Sequence, residues 1–297
     1  MTRIAGKYGR RKPRAGRKSL KLSDYLTGVV PAVPADEDYL AALNGGWQML
    51  GNDTYGDCVA VTWANVRRLV TVTLTAVTDY PSQDQVFEVY KTQNPEFPTD
   101  DNGMDIQTLL EYLVTTGGPD GVKAAGFASV DFTNPAEVKA AIALFGYVWT
   151  GVNVLEANQQ EFSASQPWDY VAGSPLDGGH SVVTGGYGAP GAGPLGGDER
   201  FITWAAETSF TDAFWTNEVE EAWVVIWPEH LASREFLAGV NMTQLAADYR
   251  EITGHAFPAS ITPPKPAPPE PVAPPPNVVV ELVEKLEEFL AWLKRLV

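Results

Sequence analysis

Between Pro258 and Pro276, ten of nineteen residues are proline, and this run sets the first limit on what the chain can fold into. Proline lacks a backbone donor and has a locked φ, so the segment cannot enter a packed core and reads as an extended spacer rising about 3.1 Å per residue. The globular part must therefore close before it, over residues 23–257, a length suited to one large domain. Beyond the spacer, residues 277–297 carry a helix signature. Asn277 can cap, Glu281 and Glu284 sit near the positive end of the dipole, and Lys294 and Arg295 near the negative end. Val279, Leu282, Leu286, Phe289, Leu293 and Leu296 recur at spacings of three and four, an apolar stripe on a helix too short to stand alone in water. Self-association or docking on a partner protein is expected there. The opposite face carries Glu281, Glu284, Glu287 and Glu288, the wrong sign for anionic lipid.

The other terminus is equally distinct. Residues 1–22 hold nine Lys and Arg and no acid, and such an arm is flexible on its own. The rest of the chain has twelve bases against 37 acids, so the body repels nucleic acid and anionic membranes while its arm is drawn to negative charge. Three destinations are open to the arm: the chain's own acidic surface, nucleic acid, or an acidic partner protein. No apolar segment follows the first charges, since Lys18 and Lys21 interrupt, so export by a signal peptide is not expected. No run of about 18 apolar residues could span a membrane. A cytoplasmic or virion-associated location is the expectation.

Within 23–257, helical periodicity is clearest over 59–72, 83–91, 104–115 and 135–145, the last with Asn134 as cap and Pro135 in the first turn. Strand-like runs follow at 147–154, 181–184, 201–204 and 222–227, short, β-branched or aromatic, and bounded by Gly or Pro. Helices first and strands later predict an α+β domain with a helical half and an antiparallel β-sheet half.

One cysteine excludes an internal disulfide or a multi-cysteine metal cluster and leaves a buried filler or a nucleophile. It stands in Gly51-Asn52-Asp53-Thr54-Tyr55-Gly56-Asp57-Cys58, where a glycine-bearing turn enters the helix that begins near Val59. A thiol in the first helical turn feels the positive end of the dipole, which favours thiolate, although Asp57 opposes this. Downstream, Asp177-Gly178-Gly179-His180-Ser181-Val182-Val183 places a histidine at the start of an apolar strand. A lone Cys and a strand-borne His more than a hundred residues apart are how a thiol nucleophile and its base would be written. His230 and His255 read as ordinary loop residues, and Asp100-Asp101-Asn102-Gly103-Met104-Asp105 lacks the later glutamate of a calcium loop.

These blocks resemble the papain-like cysteine peptidases, including their bacterial and phage relatives. In that family an oxyanion-hole Gln lies six residues before the nucleophile and a Gly two before it, positions held here by Asn52 and Gly56 ahead of Cys58. The histidine block, a small residue, an apolar strand and Gly-Tyr-Gly, is matched by His180 through Gly188, with Gly179 preceding. The third block departs. Where the family reads Asn-Ser-Trp-Gly, this chain has Thr203-Trp204-Ala205, and aligning the Trp puts Ile202 where the imidazole-orienting Asn belongs. Glu207, or Thr203 in a shifted register, is the candidate orienter, and Trp204 the residue that shields the imidazole. The resemblance implies a papain-like fold and a thiol hydrolase acting on an amide or peptide bond of a peptide or protein substrate, through an acyl-enzyme on Cys58, with no metal or cofactor, its termini tethering it to a larger assembly. A second class of function is a scaffold that keeps the fold and loses the chemistry, a structural or interaction protein such as a phage capsid or tail component. The missing Asn and the two extended termini favour that reading.

Overall fold

In a computed structural model, the described residues are 3, 5–27, 33–43, 45–189, 191, 198–253 and 256–257. The proline-rich spacer and the expected helix at 277–297, together with His255, lie outside them. The elements follow the order β1 (Leu20–Lys21), β2 (Glu37–Asp38), α1 (Cys58–Thr75), α2 (Gln83–Lys91), α3 (Ile106–Thr115), β3 (Gly126–Ser129), α4 (Pro135–Phe145), β4 (Val148–Leu155), α5 (Glu156–Ser163), β5 (Leu176–Tyr187), β6 (Glu199–Thr203), β7 (Ala206–Phe210), α6 (Asp212–Glu218), β8 (Val219–Ile226), α7 (Arg234–Gly239) and α8 (Met242–Thr253). The α+β arrangement with a helical half and a sheet half is present. The four helices read from periodicity are there, α2 and α4 with the expected bounds. Ser82 caps α2 in a reciprocal box with Gln85, and Asn134 caps α4 by accepting from the Ala136 amide.

Fourteen of the eighteen residues of α1 are buried, which makes it a central helix instead of an amphipathic surface one. It lies between the helical half and the sheet, whose strands run β1-β3-β8-β4-β5-β6-β7, with β2 also pairing β5. The sheet is mixed, not purely antiparallel. Among the described residues the parallel strand pair is β1 with β3, contributed by the basic arm through Leu20↔Ala128 and Lys21↔Ser129. β5 is the long axis of the site: antiparallel to β4 on one side, with His180 opposite Val152, and to β6 on the other, with Val183 opposite Ile202. Trp63, Trp149, Trp168 and Trp227 are fully buried and fill the space between these layers.

His230 is not a loop-surface residue. It is fully buried, accepting from the Trp227 amide at Nδ1 and donating from Nε2 to the Phe145 carbonyl. Burial pushes its pKa down to about 4. A histidine kept neutral in the fold but protonated in the unfolded chain contributes stability above pH ~6.5 that is lost as pH falls toward the folded value. Urea unfolding at pH 7, 6 and 5 should show stability falling on acidification, with a slope in His230→Asn shallower by about one proton, about 1.4 kcal/mol per pH unit. Equal slopes would mean that His230 takes no part in the acid loss.

Candidate active site

The turn before α1 is built from close backbone approaches. Gly51 has φ +108°, and a Cβ there would meet Phe87 and the Asp57 carboxylate within 2.7 Å. The Gly56 amide donates to Asp101 Oδ1 at 2.9 Å, and the Tyr90 hydroxyl donates to the same oxygen at 2.5 Å. Asp101 thus fixes the turn that presents the thiol, a role that nothing in its local sequence announces. Cys58 then opens α1, as the glycine turn implied. Its carbonyl accepts from Thr62 Oγ1, which accepts from Ser181 Oγ, which accepts from Trp149 Nε1, at 2.8, 3.0 and 2.8 Å. This buried polar chain pins the start of α1 to β5 at the residue after His180. The backbone of Ser181 and of Gly9 favours the thiolate, though burial outweighs it.

His180 Nε2 lies 2.7 Å from Thr203 Oγ1, and its Nδ1 is buried and unpartnered among the described residues. With Nε2–H donating to the threonine oxygen, Nδ1 is left as the unprotonated nitrogen, and among the described residues no group, the Cys58 thiol included, hydrogen-bonds to it. Of the two candidate orienters, Thr203 is the side chain that meets His180 Nε2, and Glu207 is bonded elsewhere. Glu207 stands on β7, where its Oε1 accepts from Trp47 Nε1 at 3.2 Å and its carbonyl accepts from Arg3. The difference follows from the β6–β7 hairpin, a two-residue turn of Trp204 and Ala205 between the paired Thr203 and Ala206. Closing the turn at Trp204 leaves Thr203 as the last strand residue, facing His180. Trp204 has φ +44°, a strained value for a bulky side chain, and is held there by rings on several sides. Its ring centroid lies 4.9 Å from that of the imidazole, while those of Trp168 and Tyr8 lie at 6.4 and 5.9 Å.

The arm reaches the first of its three destinations, the chain's own acidic body, and runs through this site. Asn52 Nδ2, the expected oxyanion donor, donates to the Lys7 carbonyl at 3.0 Å, and also to the Tyr55 carbonyl. The Lys7 amide donates back to the Asn52 carbonyl at 2.6 Å. The Gly9 and Arg10 amides both donate to the Gly179 carbonyl, the Met104 amide donates to the Gly9 carbonyl, and the Arg11 amide donates to the Met104 carbonyl. Gly179 and Met104 thus face each other across the cleft as its backbone rails. A Cβ on Gly9 would come within 1.7 Å of the Gly56 carbonyl oxygen, so only glycine passes the narrowest point. The Tyr8 ring lies on Gly178, and its hydroxyl donates to Asp177 at 2.9 Å. The Arg10 side chain is fully buried against Glu220 and Glu221.

This enclosure sets the charge state. Cys58 and His180 are each 1% exposed. Burial pushes the thiol up to about 12 and the imidazole down to about 3, and the neighbouring Arg10 charge depresses the imidazole further. The seated pair is neutral thiol and neutral imidazole across the physiological range. Asp57, expected to oppose a thiolate, is itself raised to about 8 by burial, so near neutral pH it is largely protonated and opposes little. Among the described residues, the grouping of three metal-capable side chains is Asp198, Glu199 and Asp212. It lies at the opposite end of β6 from Thr203.

No protein-family model matches the sequence, and no curated protein matches it. Solved structures do match. Xylellain, a cysteine protease from Xylella fastidiosa, aligns at 15% identity with a TM-score of 0.59, covering 76% of this chain and 98% of that one. Procathepsin B S9 from Trypanosoma congolense aligns at 10% identity and TM-score 0.53, covering 75% and 86%. The proform of the ragweed pollen cysteine protease Amb a 11 aligns at 14% identity and TM-score 0.50, covering 67% and 68%. The chain has the papain-like fold. No helix among the described residues is long and apolar enough to cross a membrane.

Proposed function

We propose that the chain is a latent thiol peptidase of the papain-like kind. Cys58 attacks the substrate carbonyl, His180 takes the thiol proton and returns it to the leaving amine, and Asn52 with the Cys58 amide stabilises the oxyanion. Water then hydrolyses the acyl-enzyme. Thr203 orients His180, and no metal or cofactor enters. The observation that carries this reading is the peptide already in the cleft: the Lys7 carbonyl accepts from the Asn52 side-chain amide while the Gly9 and Arg10 amides donate to the carbonyl of Gly179, the residue before His180. A polypeptide fits this groove by its backbone, and residues 5–11 occupy it in the resting protein. Displacing them exposes the pair.

The test is cleavage of denatured casein by Gly9→Val, in which the added side chain cannot pass Gly56. Cleavage by that variant, absent in the parent and absent when Cys58→Ser is added, is the expected result. An arm-displaced protein that cleaves no peptide bond would favour the scaffold reading.

A further inference from the structure

We propose that Asp57 is a positioning residue for the thiol chemistry: its carboxyl serves as a neutral acid directly before the nucleophile, and its ionisation in alkali opposes the thiolate. This inference rests on the peptidase reading above, since what it regulates is the nucleophile of that reaction.

Asp57 occupies the N-cap of α1 without capping it. An aspartate at that position ordinarily has extended backbone and accepts from an amide of the first turn, as Asp105 does for α3 from the Thr108 amide at 2.7 Å. Asp57 has φ −93° and ψ 14°, and its carboxyl accepts no capping hydrogen bond. The side chain turns instead into a niche against Gly51. A Cβ on Gly51 would come within 2.7 Å of Asp57 Oδ2 and 2.5 Å of the Phe87 ring, so the missing side chain makes the space for the carboxyl. Asp57 is fully buried, and among the described residues neither carboxyl oxygen has a hydrogen-bond partner. An orphaned buried carboxyl is far more costly as an anion than as an acid.

The groups that face it keep it uncharged. Asp101 and Asp53 both disfavour a further negative charge. The Tyr90 hydroxyl, which feels the same carboxyl, is engaged by Asp101. The Asn52 side chain favours the anion, but burial outweighs it and holds the group near pKa 8. Both states act on the next residue. While Asp57 is neutral and does not cap, the first-turn amides of α1 keep their positive potential for a Cys58 thiolate. Once Asp57 ionises, its charge raises the thiol pKa of its neighbour. A capping aspartate of the ordinary kind would carry its charge against the thiolate at every pH above ~4.

The experiment uses the full chain carrying Gly9→Val and His180→Ala, in which the arm is displaced and the thiol titrates without an imidazole. Iodoacetamide alkylation, followed by intact mass from pH 6 to 10, gives the thiol midpoint with and without Asp57→Asn, which keeps the shape of the side chain and cannot ionise. The expected result is a midpoint lower by ~1 pH unit in the Asn variant. Asp57→Ser should move it in the same direction, so that a shift common to both comes from the lost charge and not from a change of fit. An unmoved midpoint overturns the proposal. Urea unfolding of the parent gives a readout that needs neither the thiol nor the arm. An acid held neutral in the fold contributes stability that is complete below its unfolded value near ~3.9 and is lost as pH rises toward 8. Between pH 5 and 7 the parent should therefore lose stability with rising pH, relative to Asp57→Asn, by the equivalent of one proton; His230 acts alike in both. Equal slopes overturn the proposal. A shifted midpoint in a Gly9→Val protein that cleaves no peptide bond supports the role of Asp57 on the thiol and overturns the peptidase reading. Cleavage with an unmoved midpoint overturns the role of Asp57 and leaves the peptidase reading standing.

Discussion

Replacing Gly9 by valine should raise the rate at which iodoacetamide alkylates Cys58 at pH 7 by about a thousandfold. The expectation comes from the two states of the thiol. With the arm seated, burial holds the group near pKa 12, so about one molecule in 10⁵ carries a thiolate at pH 7. An ordinary exposed cysteine near pKa ~8.5 is ionised in about one molecule in thirty, and a first-turn position beside an imidazole pushes the fraction higher still. Valine at position 9 has nowhere to go. The Gly56 carbonyl would lie 1.7 Å from its Cβ, and Gly103 packs on the Gly9 carbonyl from the other side, so both walls of the passage are backbone. The arm lifts, and Arg10 and the Tyr8 ring leave the pair with it. Intact-mass readout of alkylation with time measures the effect, and Arg14→Ala is the control, since that side chain is 63% exposed and makes one long ion pair at 3.9 Å. A Gly9→Val protein as inert as the parent would show that the thiol is silenced by something other than the arm.

The sequence showed the framework of this site more clearly than its closure. The glycine turn into α1 and the histidine on an apolar strand are local patterns, and Cys58 and His180 stand where those patterns put them. The orienter was ambiguous because it depends on the hairpin between β6 and β7. Only a turn with Trp204 and Ala205 at positive φ, a conformation the residue types disfavour, brings Thr203 and not Glu207 to the imidazole. Asp101 was invisible for a related reason: its partners, the Gly56 amide and Tyr90, belong to other elements. The arm's charge predicted attraction to acid, and the acidic body was plain from composition. Which carboxylates it would meet was not, because Glu220 and Glu221 sit on the last strand of the sheet, about two hundred residues away. Its glycines carried the missing signal, since Gly6 and Gly9 are the residues that fit against Trp204 and Gly56. Strands β1 and β2, two residues each, are too short for any periodicity to show.

On the proposed mechanism, His180→Ala should cost the arm-displaced protein about 10² to 10⁴ in the rate of peptide cleavage, and it should change the shape of its pH profile. In the seated protein His180 is held near pKa 3 and the thiol near 12, so alkylation climbs with pH and shows no shoulder around 6. Displacement of the arm removes the burial that disfavours both charged forms. Proton transfer from Cys58 to His180 then gives an ion pair whose thiolate persists into the acid range, where a free thiol is unreactive. Gly9→Val should accordingly alkylate at pH 5 to 6, and Gly9→Val with His180→Ala should lose that limb and titrate as one group near ~8.5. The same logic grades the second layer. Thr203→Val leaves Nε2 without its acceptor and the imidazole free to flip, so kcat should fall about a hundredfold with little change in KM, because a base in the wrong tautomer still allows substrate to bind. Thr203→Asn, which supplies a side-chain oxygen at the same strand position, should recover most of that loss. Glu207→Gln should leave the profile unmoved, since its partners are Trp47 and Arg3 and not the imidazole. A profile insensitive to His180, or a Glu207 variant as impaired as the Thr203 one, would place the proton chemistry elsewhere than in the Cys58, His180 and Thr203 line.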